Sequence, residues 1–146
     1  MSYKGKYYPR YPKKYKGDPR NIIYRSLWER KFMNYCDLNE NILEWASEEF
    51  WIPYLDPTTN RVRRYFPDFF IKYKDKDSNI RRSVIEVKPM RETLEPKVTK
   101  GKSRKTMINE SLTYVKNQAK WKAAREFCDD RKLEFKIMTE KELGIR

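Results

Sequence analysis

The amino-acid sequence predicts an α/β domain, a mixed sheet flanked by helices and laid down in the order α-β-β-β-α-β. Three observations predict it. Runs rich in aromatic and β-branched residues, at 50–54, 64–73 and 84–88, are separated by the polar turns 56–60 and 75–79. Trp28, Phe32 and Tyr35 recur at helical spacing ahead of them. A long helical pattern from about 106 to 130 follows, and it leads into a last apolar run at 133–138.

Residues 1–20 carry Tyr3, Tyr7, Tyr8, Tyr11 and Tyr15 among lysines and arginines that include Lys13 and Lys14. Pro9, Pro12 and Pro19 oppose regular structure, so this stretch reads as a flexible basic arm, set apart from a single domain over 21–146. Cations for phosphates and rings for stacking suit a nucleic-acid arm. A solubilising tail, or an arm packed along its own domain, fits the same residues. Ser26-Leu27-Trp28-Glu29 matches a capping box and starts a helix that ends near Cys36-Asp37. Residues 42–45 read as a short connecting strand. The 50–54 run reads as the outer arm of a hairpin that turns directly into the 64–73 strand. The turn at 75–79 then leads into the third strand, which Pro89 stops.

The segment 91–105 is polar, with Lys97, Lys100, Lys102, Arg104 and Lys105 crowded around Gly101. It is either a solvated loop or a mobile clamp on a phosphate backbone. In the long helix, Leu112, Tyr114, Val115, Ala119, Trp121, Ala123 and Phe127 mark the expected buried side. Gln118 and Lys120 lie in its middle as surface polarity or as phosphate contacts. Residues 139–143 form a short capped turn.

Composition narrows the chemistry. The 146 residues hold 34 Lys+Arg against 21 Asp+Glu, a net charge of +13, which points to a polyanionic partner and to nucleic acid before membrane. No apolar run is long enough to span a bilayer and no signal peptide is evident, so a soluble intracellular protein is expected. There is no histidine. That removes histidine acid–base chemistry, Ser-His triads and histidine-dependent metal nucleases. The two cysteines, Cys36 and Cys128, lie too far apart in sequence for a zinc cluster or redox pair, and each reads as a small buried apolar residue. What remains is carboxylate, lysine, tyrosine and a hard cation, the vocabulary of Mg²⁺ or Mn²⁺ phosphoryl chemistry.

Alternation along a strand puts Phe66, Asp68 and Phe70 on one face of the 64–73 run, and Val84, Glu86 and Lys88 on one face of the next. If the two strands pair in register, Asp68, Glu86 and Lys88 converge. A carboxylate enclosed by apolar residues is costly unless a positive group balances it, and a divalent cation with Lys88 supplies that balance. A plain salt-bridged patch would leave two carboxylates to one lysine.

Glu29 on a first helix, Pro67-Asp68 on a second strand and Glu86-Val87-Lys88 on a third resemble the PD-(D/E)xK nuclease superfamily, over roughly 26–138. The resemblance implies a restriction-endonuclease-like core. Arg25-Ser26-Leu27-Trp28-Glu29 together with Phe66-Pro67-Asp68-Phe69 most resembles two groups. One is the endonuclease subunit that cleaves transposon ends in heteromeric cut-and-paste transposases; the other is the small head-completion nuclease of tailed phages. The transposase subunit's extra C-terminal domain is not expected here, and length and lysine-rich composition look more like the phage group.

The resemblance implies that Asp68 and Glu86 hold Mg²⁺ or Mn²⁺, with the Val87 carbonyl as a further oxygen ligand and Glu29 acting through water. On spacing alone Glu29 reads as the third residue of the capping box; the family adds the ligand role. Lys88 would orient or help deprotonate the attacking water. Gln118 or Lys120 would touch the phosphate, and Arg63 and Arg64 the flanking backbone. The implied activity is metal-dependent DNA endonuclease, acting on packaged or terminal DNA with phage head or neck proteins as partners, in the host-cell cytoplasm or the virion. A transposase-type end-cleaving subunit and a non-catalytic DNA-binding virion component are the alternatives.

Overall fold

The computed structural model describes residues 3–144. Strands β1 (Gly5–Tyr7) and β2 (Ile22–Tyr24) pair antiparallel ahead of helix α1 (Leu27–Leu38). There follow β3 (Ile42–Ser47), β4 (Ile52–Asp56), β5 (Arg61–Tyr65), β6 (Phe69–Lys74), β7 (Ile80–Val87), α2 (Met90–Thr93), α3 (Arg104–Asp130), β8 (Glu134–Met138) and α4 (Glu140–Leu143). The main sheet has the order β3-β6-β7-β8 and is antiparallel except for the parallel pair β7-β8. A parallel neighbour needs a long crossover, and α3 is that crossover. Taking α1, β3, β6, β7, α3 and β8 in turn yields the predicted α-β-β-β-α-β core with a mixed sheet. Among the described residues no helix is long and apolar enough to cross a membrane.

The strand assignments shift in one respect. Residues 64–73 are not one strand: β5 ends at Tyr65 and β6 begins at Phe69. Pro67 between them lacks the N–H that a ladder needs. The 50–54 run therefore does not enter the main sheet. It pairs with β5 in a separate two-stranded ribbon inserted between β3 and β6. Phe66 is 45% exposed, so it is not the apolar wall beside Asp68 that alternation suggested. The first core strand is instead 42–47, read from sequence as a connector. Its consecutive residues Trp45, Ala46 and Ser47 are all buried, so both faces are covered and no alternation shows.

One face of the sheet packs Phe69, Ile71 and Ile85 against Phe32, Met33 and Cys36 of α1. Ribbon and α3 share a second core of Ile52, Tyr54, Tyr65, Trp121 and Ala124. Cys36 and Cys128 are buried free thiols. The helix α3 begins at its Ser103 cap, whose Oγ accepts from the Thr106 N–H. Ala119, Trp121, Ala123 and Phe127 pack as expected. Leu112 and Val115 do not: they are 47% and 43% exposed, because only the C-terminal part of α3 reaches the core, where Asn117, Trp121, Ala124 and Cys128 are buried.

The basic arm packs along its own domain, one of the arrangements its residues fit. Tyr7 and Tyr15 are buried with their rings edge-on to Trp45, at centroid separations of 5.9 and 4.7 Å. Buried Asp37 accepts from the Tyr7 hydroxyl (2.9 Å) and from the backbone N–H groups of Arg10 (2.7 Å) and Tyr11 (3.0 Å). Lys14 Nζ donates to the carbonyls of Cys36, Asp37 and Asn39 at 2.7–2.9 Å, satisfying the end of α1. An ammonium has three donors, so Lys14 keeps none for a phosphate. This corrects its assignment as a DNA contact, whereas Lys13 is exposed. Lys14→Met is expected to cost about 1–3 kcal/mol in a urea melt, since three carbonyls lose a charged donor. An unchanged midpoint would return Lys14 to the DNA-contacting set.

Candidate active site

The register of the main sheet builds the site. Phe69 pairs with Ile85, so Asp68 stands opposite Glu86. Ser47 pairs with Phe69, so the next residue, Glu48, stands opposite Asp68, and the Glu48 N–H donates to the Asp68 carbonyl at 3.2 Å. Carboxylates thus line one end of three neighbouring strands. Glu48 has φ 52°, left-handed backbone that a glutamate adopts at a cost of about 1–3 kcal/mol. At this residue the chain leaves the sheet to start the ribbon.

Glu29 completes the row from the first turn of α1. Carboxylate oxygens of Glu29, Glu48 and Asp68 lie within 4.8 Å of one another. The two readings of Glu29 divide between its atoms. Its backbone N–H donates to Ser26 Oγ (3.2 Å), the cap. Its carboxylate does not close the box on Ser26 N–H. It accepts only long bonds, from Arg25 N–H (3.4 Å) and Ser26 Oγ (3.5 Å), and turns to the cluster.

The electrostatics follow from crowding. Burial pushes the Asp68 carboxyl well above the usual carboxylate range, and the charges of Glu86 and Glu29 push it further. The Val87 N–H, donating to Asp68 Oδ2 at 2.8 Å, works against them. Burial, and then the charge of Glu48, raises Glu29 against the opposing Arg25 N–H. Glu86 is 5% exposed. Its Oε1 accepts from the Tyr65 hydroxyl at 2.8 Å, and its Oε2 lies 3.9 Å from Lys88 Nζ. Burial and then the neighbouring Glu86 charge drive the Tyr65 hydroxyl far up, so it remains a donor. From α3, half-buried Lys120 places Nζ 5.9 Å from the Tyr54 ring centroid and 5.7 Å from that of Tyr65. Burial lowers its pKa, against the charge of Glu86.

The structure therefore brings Glu29, Asp68, Glu86 and Lys88 together, with Lys120 beside them. Gln118 is two residues from Lys120, about 200° round the helix, and does not share its face. Arg63 is engaged by Asp56, Nε to Oδ2 3.1 Å, and Lys102 by Glu110 at 2.9 Å. Arg64 lies 4.8 Å from the Trp51 ring and has no carboxylate partner among the described residues. Lys100, Arg104 and Lys105 are exposed.

Sequence reasoning missed Glu48 and Tyr65. The signal for Glu48 was the polar Ser47-Glu48-Glu49 closing the 42–47 run. It becomes readable only once that run is known to neighbour the Asp68 strand.

A family model, the TnsA-like endonuclease N-terminal domain, matches residues 39–140, from just before β3 into α4. The chain belongs to the TnsA-like endonuclease family. The matched stretch carries Glu48, Asp68, Glu86, Lys88 and Lys120, whereas Glu29 precedes it and stands on geometry. The chain is also 39% identical over 143 residues to the head completion nuclease of Enterobacteria phage T4, covering 96% of this chain and 93% of that protein. Family and fold agree with the restriction-endonuclease-like core, and the protein is a nuclease.

Proposed function

We propose that the protein hydrolyses DNA phosphodiester bonds with Mg²⁺ or Mn²⁺ and serves as a head-completion nuclease of a tailed phage, acting on packaged or terminal DNA. The observation that carries the activity is the convergence of Glu29, Glu48 and Asp68 beside Glu86 and Lys88. The residues fit a hard divalent cation. Among the described residues the four carboxylates have two ion-pair partners, Arg25 at 3.2 Å from Glu48 and Lys88 at 3.9 Å from Glu86, and the donor set is all oxygen. Burial, and then the charges of Glu86 and Glu29, raise Asp68 in the same place, which a bound cation would offset.

Asp68, at the centre of the row, would hold the ion with Glu86 and with Glu29 or Glu48, directly or through water. The Val87 carbonyl, which leaves the extended strand on the same side as the N–H bonded to Asp68, offers a further oxygen. Once bound, the ion supplies Lewis acidity and a hydroxide near neutral pH. Tyr65 holds Glu86 in place. Lys88 orients the attacking water and meets charge that develops on the phosphate. Lys120 adds positive charge from the α3 side. Lys13, Arg64, Lys100, Arg104 and Lys105 are available to the flanking backbone.

Near-full-length agreement with a phage nuclease favours the head-completion role over transposon-end cleavage and over a non-catalytic virion component. Head or neck proteins as partners, and host cytoplasm or virion as location, belong to this proposal. The purified protein is expected to cut linear duplex DNA with Mg²⁺ and to stop with EDTA. Glu48→Gln is expected to slow cleavage at least about ten-fold. Cleavage undiminished in EDTA would sink the metal mechanism.

A further inference from the structure

The β4–β5 ribbon has two unlike faces. Ile52, Tyr54, Asp56 and Tyr65 turn inward and are buried. The opposite face carries Leu55 against Val62 and Pro53 against Arg64. Continuing the register by one residue sets Trp51 against Phe66. Trp51, Leu55, Val62 and Phe66 are 44%, 56%, 73% and 45% exposed. A run of exposed apolar side chains on a chain of net charge +13 marks an interaction surface.

Two observations say what covers it. The ribbon springs from the active site at both ends: Trp51 follows Glu48 by three residues, and Phe66 precedes Asp68 by two. A duplex whose phosphate reaches Asp68 and Lys88 must pass the base of the ribbon, where the two rings stand. The charge is also complementary: Arg64, opposite Pro53 on this face, lies over the Trp51 ring at 4.8 Å. Exposed rings beside an arginine suit the minor groove, where arginine meets the strong negative potential and apolar wedges part a base step.

We propose that the outer face of the ribbon lies in the DNA minor groove next to the scissile phosphate, with Trp51 and Phe66 partly unstacking the adjoining base step and Arg64 gripping the groove. This rests on the nuclease reading of the neighbouring carboxylates. It adds the element that seats the duplex and explains why an apolar face is left open beside an acidic site.

The test uses short duplexes with 2-aminopurine at successive positions, bound by the full chain in Ca²⁺ with Asp68→Asn as the non-cleaving background. Fluorescence is expected to rise at one step on binding. Adding Trp51→Ala and Phe66→Ala should abolish the rise and weaken binding at least about ten-fold, because each base–aromatic stack contributes substantially. In the cleaving protein, a mismatch that opens the step beforehand should restore most of the rate lost by Trp51→Ala/Phe66→Ala. Val62→Glu, at an exposed site away from the rings, should weaken binding without lowering the melting temperature. Unchanged binding and fluorescence in both the aromatic double variant and Val62→Glu would overturn the proposal and leave this face to a protein partner. The two readings fail separately: if the wild-type chain never cleaves DNA yet gives the ring-dependent rise, the nuclease reading falls and the ribbon stands.

Discussion

Asp68→Asn is expected to lower the cleavage rate about 10³-fold or more while raising the melting temperature of the metal-free protein. Both effects come from one carboxylate. Asp68 is enclosed between Glu86 on β7, Glu48 at the end of β3 and Glu29 on α1. Asparagine keeps the shape and one oxygen but removes the charge that would hold a cation, and removing a charge-stabilising contact from a hydrolytic transition state costs orders of magnitude.

The stability effect has the opposite sign because burial and like charge raise Asp68 in the folded chain. For a raised carboxyl, the stabilising contribution is present below the unfolded pKa and is lost as pH rises through the folded one. Glu29 is shifted in the same direction. Metal-free protein should therefore melt lower at neutral than at weakly acid pH, and Asp68→Asn should flatten that slope. A gain of about 2–4 °C at neutral pH corresponds to about 1 kcal/mol in a domain of this size. Added Mn²⁺ should raise the wild-type melting temperature and leave that of Asp68→Asn nearly unmoved. A variant that melts lower than wild type across the pH range would mean that Asp68 stabilises the fold and is not a strained ligand.

Lys88→Ala is expected to reduce single-turnover cleavage about 10²- to 10⁴-fold with little loss of DNA affinity. The backbone of Lys88 is pinned to the sheet, its N–H donating to the Met138 carbonyl at 2.9 Å. Its Nζ remains near Glu86 at 3.9 Å, too long for a tight ion pair, and is open to water and phosphate. A charge that acts in the transition state lowers the rate of the chemical step when it is removed. A charge that only grips DNA weakens binding instead. Lys88→Arg should not rescue fully, because guanidinium stays protonated and fills a different shape. A rate within a few-fold of wild type, with weakened binding, would reduce Lys88 to a phosphate contact.

The core order and the pairing of Asp68 with Glu86 and Lys88 were legible because they depend on local signals: strand-rich runs, polar turns, Pro89 and a long amphipathic helix. Three features were not. The strand 42–47 is buried on both faces, so Trp45, Ala46 and Ser47 carry no alternation, and its end, Glu48, lost its meaning with it. The break at Pro67 was hidden because Tyr65, Phe66, Phe69 and Phe70 all favour extended structure. Only tertiary packing separates a ribbon on α3 from a strand in the sheet. Lys14 looked like a phosphate contact because composition cannot tell a solvated lysine from one that caps a helix 22 residues away.

Calorimetric titration of Mn²⁺ into the wild-type chain and into Asp68→Asn bears most directly on the claim that these converging carboxylates exist to hold a cation. The account predicts saturable binding to the wild-type protein that disappears, or weakens about ten-fold or more, in the variant. Equal binding by the two proteins, or no binding by a wild-type chain that still cleaves DNA, would contradict it.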